Sequence, residues 1–69
     1  MKISARNVLK GKVVAVEMGA VNAEVLIEVA PGIEVASIIT KAAFEKLELA
    51  VGKEAYAVLK ASNVMVAVD

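Results

Sequence analysis

An alternation of apolar and polar residues on both sides of a Pro-Gly pair restricts the fold of this chain more than any other feature. Between residues 23 and 29, apolar side chains occupy every second position. This period of two is typical of a strand with one buried face. Pro31-Gly32 suits the two central positions of a type II turn. Residues 34–40 then return as a second extended segment, so the pattern predicts a β-hairpin.

Other segments complete a mostly β chain. Residues 8–17, 55–60 and 64–68 are rich in valine and alanine and are predicted to be strands, with Gly11 as a β-bulge. Residues 41–47 contain no β-branched side chain and suit a short helix, for which Thr40 can serve as the N-cap. Five strands with one helix between the third and fourth predict an all-β, OB-like Greek-key barrel.

Length and composition predict one small domain, residues 1–69, that associates with other copies. Chains below about 70–80 residues rarely form a sufficient core alone. The 69 residues include no cysteine and no histidine, which excludes disulfides and the commonest zinc, copper and haem ligands. Apolar residues make up 59%, including thirteen valines and thirteen alanines. A monomer this small cannot bury so much aliphatic surface.

Charge and hydropathy narrow the possible environments and partners. The net charge is zero, and the charges are interspersed, which argues against binding to nucleic acid through clustered cations. No apolar run is long enough to span a membrane, and Lys10 and Lys12 interrupt any signal-peptide core. We therefore expect a free-standing cytoplasmic protein without membrane contact. Catalysis is not expected, because no nucleophile–base pair is recognisable.

Hydrogen-bond donors are scarce and fall into three clusters. Arg6 is the only arginine, and serine and threonine occupy only four positions. The clusters are Ser4 with Arg6, Ser37 with Thr40, and Lys60 with Ser62. Hydroxyls, backbone N–H groups and a guanidinium can all donate, which is what a small oxyanion requires. The clusters contain no carboxylate, so the pattern indicates an anion site.

Each of these residues also has an ordinary structural explanation. Arg6 can form a surface ion pair with a glutamate. Ser37 can be an outward-facing strand residue, and Thr40 can act only as a helix cap. Lys60 can simply be solvated at the end of a strand. Taken singly, these explanations suffice; it is the clustering that favours a site.

Four segments resemble one known family. Ser-Ala-Arg-Asn at residues 4–7, followed by Val-Leu-Lys-Gly-Lys-Val-Val, is similar to the start of the molbindins. These are small molybdate-binding proteins whose unit is called the Mop domain. Residues 19–25, 37–40 and 58–66 resemble further parts of that domain. The resemblance covers essentially the whole chain, and its specificity lies in the ordered set of four segments.

The resemblance implies a function and a site. It implies binding of molybdate, and of tungstate, at subunit interfaces for intracellular molybdenum storage or homeostasis, with no cofactor and no direct protein ligand to the metal. It implies a homohexamer arranged as a trimer of dimers. The oxyanion-binding residues it implies are Ser4, Ala5, Arg6, Ser37, Thr40, Lys60, Ala61 and Ser62. A second oxyanion site is expected near the three-fold axis, at Val21 and Asn22.

The chemistry of the ligand adds an expectation about selectivity. Molybdate is a tetrahedral dianion that carries only acceptors at neutral pH. A site built only from donors should reject hydrogen phosphate, because nothing accepts the proton of that ion. Sulfate has the same charge and shape, so only the size of the cavity can exclude it.

Two other classes of function remain open. An OB-like nucleic-acid-binding module would stack bases on aromatic side chains, but Phe44 and Tyr56 are the only aromatics. Phe44 is better explained as a helix residue that packs on the barrel. A structural or regulatory oligomerisation module, like the Mop domains fused to transporters and regulators, is the other alternative.

Overall fold

The computed structural model describes residues 1–69 and consists mainly of one antiparallel sheet of four strands. The elements in chain order are β1 (Asn7–Met18), β2 (Asn22–Ala30), β3 (Ile33–Thr40), helix α1 (Lys41–Lys46), β4 (Glu54–Leu59) and a 3₁₀ turn (Ala61–Asn63). The strands are hydrogen-bonded in the order β3-β2-β1-β4. Strand β1 is therefore central, and β3 and β4 are the two edges.

The predicted hairpin is formed by β2 and β3. Val25 lies opposite Ser37 in the register, and the turn joining the strands contains Pro31 and Gly32. Gly32 has φ of +75°, the left-handed value that the third residue of a type II turn requires and that glycine adopts without a steric cost. Every second residue of β2 from Ala23 to Ile27 is buried, as the alternation predicted.

The core is small and lies on the inner face of the sheet. Val13, Ala23, Val25, Ile27 and Ala57 are its only buried residues. Phe44 of α1 and Leu49 pack against this cluster, so the helix covers part of the inner face. Many large apolar side chains remain exposed, among them Ile38, Tyr56 and Val58 on the edge strands.

The predicted fifth strand is not formed within the chain. Residues 64–68 pair with no other strand, and Met65 and Val66 are 93% and 88% exposed. The backbone at Val64 is extended, with φ of −88° and ψ of 121°. The segment follows the 3₁₀ turn without a neighbouring strand, and an extended segment without a neighbour has no ladder of hydrogen bonds.

The β-bulge lies at Val14 and not at Gly11, where the sequence predicted it. The β1–β2 register shifts between Val13 and Ala15. Gly11 has a different role, because a Cβ atom built there would lie 2.4 Å from the carbonyl oxygen of Glu28. Glycine at this position allows the backbones of β1 and β2 to approach closely.

Helix α1 ends in a Schellman motif that lacks the usual glycine. The N–H of Glu48 donates to the carbonyl of Glu45, and the N–H of Leu49 donates to the carbonyl of Phe44. Glu48 has φ of 53° and is the only non-glycine residue with a positive φ. A side chain in this left-handed conformation is strained.

Replacing Glu48 with Gly is expected to stabilise the fold by about 0.5–1 kcal/mol, because glycine adopts the left-handed conformation without a Cβ clash. Thermal unfolding measures the change. Glu48→Ala removes the same carboxylate but keeps the Cβ atom, so it should show little of this gain. An equal rise for both variants would assign the effect to charge instead of backbone strain.

Candidate functional site

Two of the three donor clusters line one surface pocket. Its volume is about 520 Å³, and its lining residues are Ser4, Ala5, Arg6, Val58, Lys60, Ala61 and Ser62. Six of these seven belong to the predicted oxyanion set. Val58 was not predicted, although it lies near the end of β4, two residues before Lys60, which follows the strand with an extended backbone.

Antiparallel pairing of β1 and β4 brings the two clusters together. Asn7, at the start of β1, lies opposite Leu59, at the end of β4. Residues 4–6 therefore enter the sheet where residues 60–62 leave it. Since Lys60 precedes the 3₁₀ turn, the first N–H groups of that turn have no acceptor inside it. These N–H groups lie in the same segment as the Lys60 ammonium.

The pocket has positive charge and no carboxylate among its lining residues. The chain contains a single ion pair, between Lys10 and Glu54 at 3.6 Å, and its three side-chain hydrogen bonds involve only Thr40 and Lys53. Arg6 therefore does not form the ion pair with a glutamate that was its simplest structural explanation. The donors of Arg6 and Lys60 are free to bind an anion.

Ser37 lies beside this pocket and does not line it. Its side chain is half-buried on the same face of β3 as Val35 and Ile39. It borders a groove of about 360 Å³ between the edge strands β3 and β4, and Lys60 borders the same groove. Lys60 thus connects the pocket of Arg6 with the groove of Ser37.

Thr40 lies elsewhere in the chain. It is opposite Asn22 in the β2–β3 register, beside the two residues predicted for the second site. Its hydroxyl accepts a hydrogen bond from the N–H of Ala43 at 3.0 Å, which confirms the predicted N-cap. The hydroxyl proton remains available to donate. The structure therefore does not bring Thr40 to Arg6 within one chain.

The second predicted site lies in the turn between β1 and β2. The carbonyl of Val21 accepts from the N–H of Lys41 at 2.8 Å, and the carbonyl of Asn22 accepts from the N–H of Gly19 at the same distance. These bonds hold the turn against the start of α1. Carbonyl oxygens cannot donate, so an anion at this turn would have to be bound by its N–H groups.

Two further observations describe the chain as a whole. No helix is long and apolar enough to cross a bilayer. No three His, Cys, Asp or Glu side chains are close enough together to bind a metal ion.

Comparisons with known proteins match nearly the whole chain to a single family. Residues 3–66 match the TOBE domain family. A probable molybdenum-pterin-binding protein of Haemophilus influenzae is 56% identical over 69 residues, which are the whole of both chains. These matches include both segments that line the Arg6 pocket, residues 4–6 and residues 58–62.

Solved structures share the same fold. MopII from Clostridium pasteurianum has a TM-score of 0.91 and 46% identity, covering 97% of this chain and 100% of that one. ModG, described as a cytoplasmic molybdate-binding protein and solved with molybdate bound, has a TM-score of 0.89 and 49% identity. That match covers 94% of this chain and 46% of ModG. The predicted all-β, OB-like class is thereby confirmed, with four strands formed within the chain.

Proposed function

Because this chain belongs to the TOBE-domain family, and within it to the molbindins, we propose that it binds molybdate in the pocket of Arg6. The observation that carries the proposal is the convergence of Ser4, Arg6, Lys60 and Ser62 on one pocket whose lining contains no carboxylate. A tetrahedral dianion offers only acceptors, and this lining offers hydroxyl, N–H, guanidinium and ammonium donors with two positive charges and no carboxylate.

Arg6 and Lys60 have different roles in the proposed site. The guanidinium of Arg6 donates two parallel N–H bonds to adjacent oxygens of the anion, whereas the ammonium of Lys60 acts as a point charge. The hydroxyls of Ser4 and Ser62 rotate to donate, and the backbone N–H groups of Ala5 and Ala61 add donors. Molybdate is held through its oxygens, without a protein ligand on the metal.

The proposed site is completed by a neighbouring copy. In the single chain Ser4, Arg6, Lys60 and Ser62 are all exposed, so one chain does not withdraw the anion from water. Thr40 lies away from the pocket, and Ser37 lies beside it, so hydroxyls of the β3–α1 segment reach the ion from another subunit. With only five buried residues, the chain has ample apolar surface for such an assembly.

The proposed assembly is a homohexamer of residues 1–69, arranged as a trimer of dimers, in which each chain is one Mop domain. Val21 and Asn22 provide N–H donors to a second oxyanion site near the three-fold axis. The protein is not an enzyme and stores or buffers molybdate, and also tungstate, in the cytoplasm. Neither nucleic acid nor membrane is a partner in this function.

Native mass spectrometry with and without molybdate tests the proposal directly, because it gives the number of subunits and of bound ions in one spectrum. A hexamer that gains molybdate ions is the expected result. A folded monomer at micromolar concentration, or an oligomer that takes up no molybdate, would contradict it.

Molybdate and tungstate are expected to raise the melting temperature, whereas phosphate is not. At a free concentration of ten times the dissociation constant, a ligand stabilises the folded state by about 1.4 kcal/mol per site. Hydrogen phosphate carries a proton that needs an acceptor, and the lining offers no carboxylate to accept it. Differential scanning fluorimetry with the three salts at equal ionic strength makes the comparison, and equal stabilisation by phosphate would contradict the expected selectivity.

A further inference from the structure

Val58 differs in chemistry from the rest of the Arg6 pocket. The other lining residues are polar or alanine, namely Ser4, Ala5, Arg6, Lys60, Ala61 and Ser62. Val58 is therefore the only large apolar side chain on a wall that otherwise offers donors. Its 44% exposure carries no argument by itself, because single apolar side chains are common on protein surfaces. Its position among the donors is what requires an explanation.

Val58 is also the lining residue with the least freedom to move. It lies within β4, whereas the other lining residues come before β1 or after β4. Val8 of β1 lies directly opposite it in the register, and the side chains of such a pair pack beside each other on one face of a sheet. A β-branched side chain is also stiff about χ1. The isopropyl group is thus a wall held in place by two paired strands.

The donors around this wall can adapt to the ion that they bind. Arg6 and Lys60 have long side chains that form no ion pair or hydrogen bond within the chain. The hydroxyls of Ser4 and Ser62 can rotate. Groups of this kind can follow a smaller or a larger anion, so they cannot by themselves distinguish the two. Discrimination by size requires a part of the pocket that does not move.

We propose that Val58 determines which size of anion the pocket accepts, and that it thereby selects molybdate over sulfate. The inference rests on the proposed binding of molybdate in this pocket and specifies how the pocket distinguishes two tetrahedral dianions of equal charge. S–O bonds are shorter than Mo–O bonds. Sulfate held by Arg6 and Lys60 therefore leaves a gap beside the isopropyl group, which molybdate fills.

The gap is unfavourable because its wall is apolar. In a polar cavity, a water molecule would bridge the smaller ion to the wall, but an enclosed water needs about two to four polar partners. The isopropyl group of Val58 provides none. An empty gap in turn loses the van der Waals contacts between ion and wall. Molybdate contacts the wall and the donors at the same time, whereas sulfate does not.

Substitutions that shorten or lengthen the side chain of Val58 test this inference. The quantity measured is the dissociation constant of sulfate divided by that of molybdate, and isothermal titration with molybdate, with and without competing sulfate, gives both constants. Val58→Ala moves the wall back, so that molybdate also leaves a gap. Val58→Ile adds a methyl group and crowds the larger ion. Each variant should lower the ratio by about tenfold.

Matched changes at Val8 are the control. Val8 has the same side chain and is paired with Val58, but it does not line the pocket, so Val8→Ala and Val8→Ile should leave the ratio unchanged. Partial unfolding of a variant lowers both apparent affinities alike and cancels from the ratio. Tungstate nearly equals molybdate in size and has the same charge, so the relative affinity of these two ions should stay constant in every variant.

The outcomes separate this inference from the proposed function. If the wild type binds molybdate and neither change at Val58 alters the ratio, the role of Val58 is overturned alone. A ratio that changes steadily from Ala through Val to Ile also overturns it, because a wall of fitted size gives a maximum at Val. A wild type that binds no molybdate overturns the proposed function and the inference together.

Discussion

Replacement of Arg6 with Ala is expected to weaken molybdate binding by about 2–3 kcal/mol, or about 30- to 150-fold. The variant loses a charge-assisted pair of hydrogen bonds, and the pocket loses one of its two positive charges. Arg6 forms no ion pair or side-chain hydrogen bond within the chain, so the fold should be little affected. Isothermal titration calorimetry measures the affinity, and circular dichroism checks the fold.

The conservative variant and a matched control identify the cause. Arg6→Lys should recover only part of the loss, because an ammonium cannot make two parallel bonds. Lys46→Ala removes an exposed cation outside the pocket and should bind normally. Lys53 is a poor control, because its ammonium donates to the carbonyls of Leu47 and Glu48 at 3.2 and 2.8 Å. Equal affinities for wild type and Arg6→Ala would show that Arg6 does not bind the anion and that the proposed site is wrong.

Replacement of Gly11 with Ala is expected to cost about 3 kcal/mol of folding free energy. The new Cβ would lie 2.4 Å from the carbonyl oxygen of Glu28 and 2.8 Å from a methyl group of Ile27. The closer of these atoms belongs to the backbone of β2, so no rotation of a side chain relieves the clash. The β1–β2 ladder must separate, and chemical denaturation measures the loss.

Gly32→Ala is the matched comparison. Its Cβ would meet nothing within 4 Å, but φ at Gly32 is +75°, so only backbone strain of about 1–2 kcal/mol is expected. A smaller loss at position 11 than at position 32 would show that the close approach of the two strands relaxes at little cost.

Local patterns were sufficient to predict the strands whose partners are close in sequence. The alternation at residues 23–29 and the Pro31-Gly32 turn together determine a hairpin. A turn this short brings the second strand directly beside the first. Residues 64–68 show the limit of this reasoning. Their valines predict an extended backbone but do not say which strand lies beside it, and within the chain no strand does.

The candidate site was predictable to the same extent. Arg6 and Lys60 could be chosen because both lie among scarce donors, but their proximity depends on the pairing of β1 with β4, which joins residues far apart in sequence. Thr40 was grouped with Ser37 because the two hydroxyls are close in sequence and because residues 37–40 resemble part of the Mop domain. Three residues along a strand cover about 10 Å and reverse the face, and the structure separates the two hydroxyls accordingly. No pattern in the sequence predicts that the ammonium of Lys53 contacts the carbonyls at the end of α1.

The pairing of Asn7 with Leu59 has a consequence for the dynamics of the sheet. The β1–β4 ladder ends there without a connecting turn, so its terminal pairs are free to fray. An anion held between residues 4–6 and residues 60–62 would bridge that open end as a loop bridges a hairpin. Ligand occupancy would then slow hydrogen exchange at the last amides of this ladder, and the ion would serve as a non-covalent link between two distant stretches of chain.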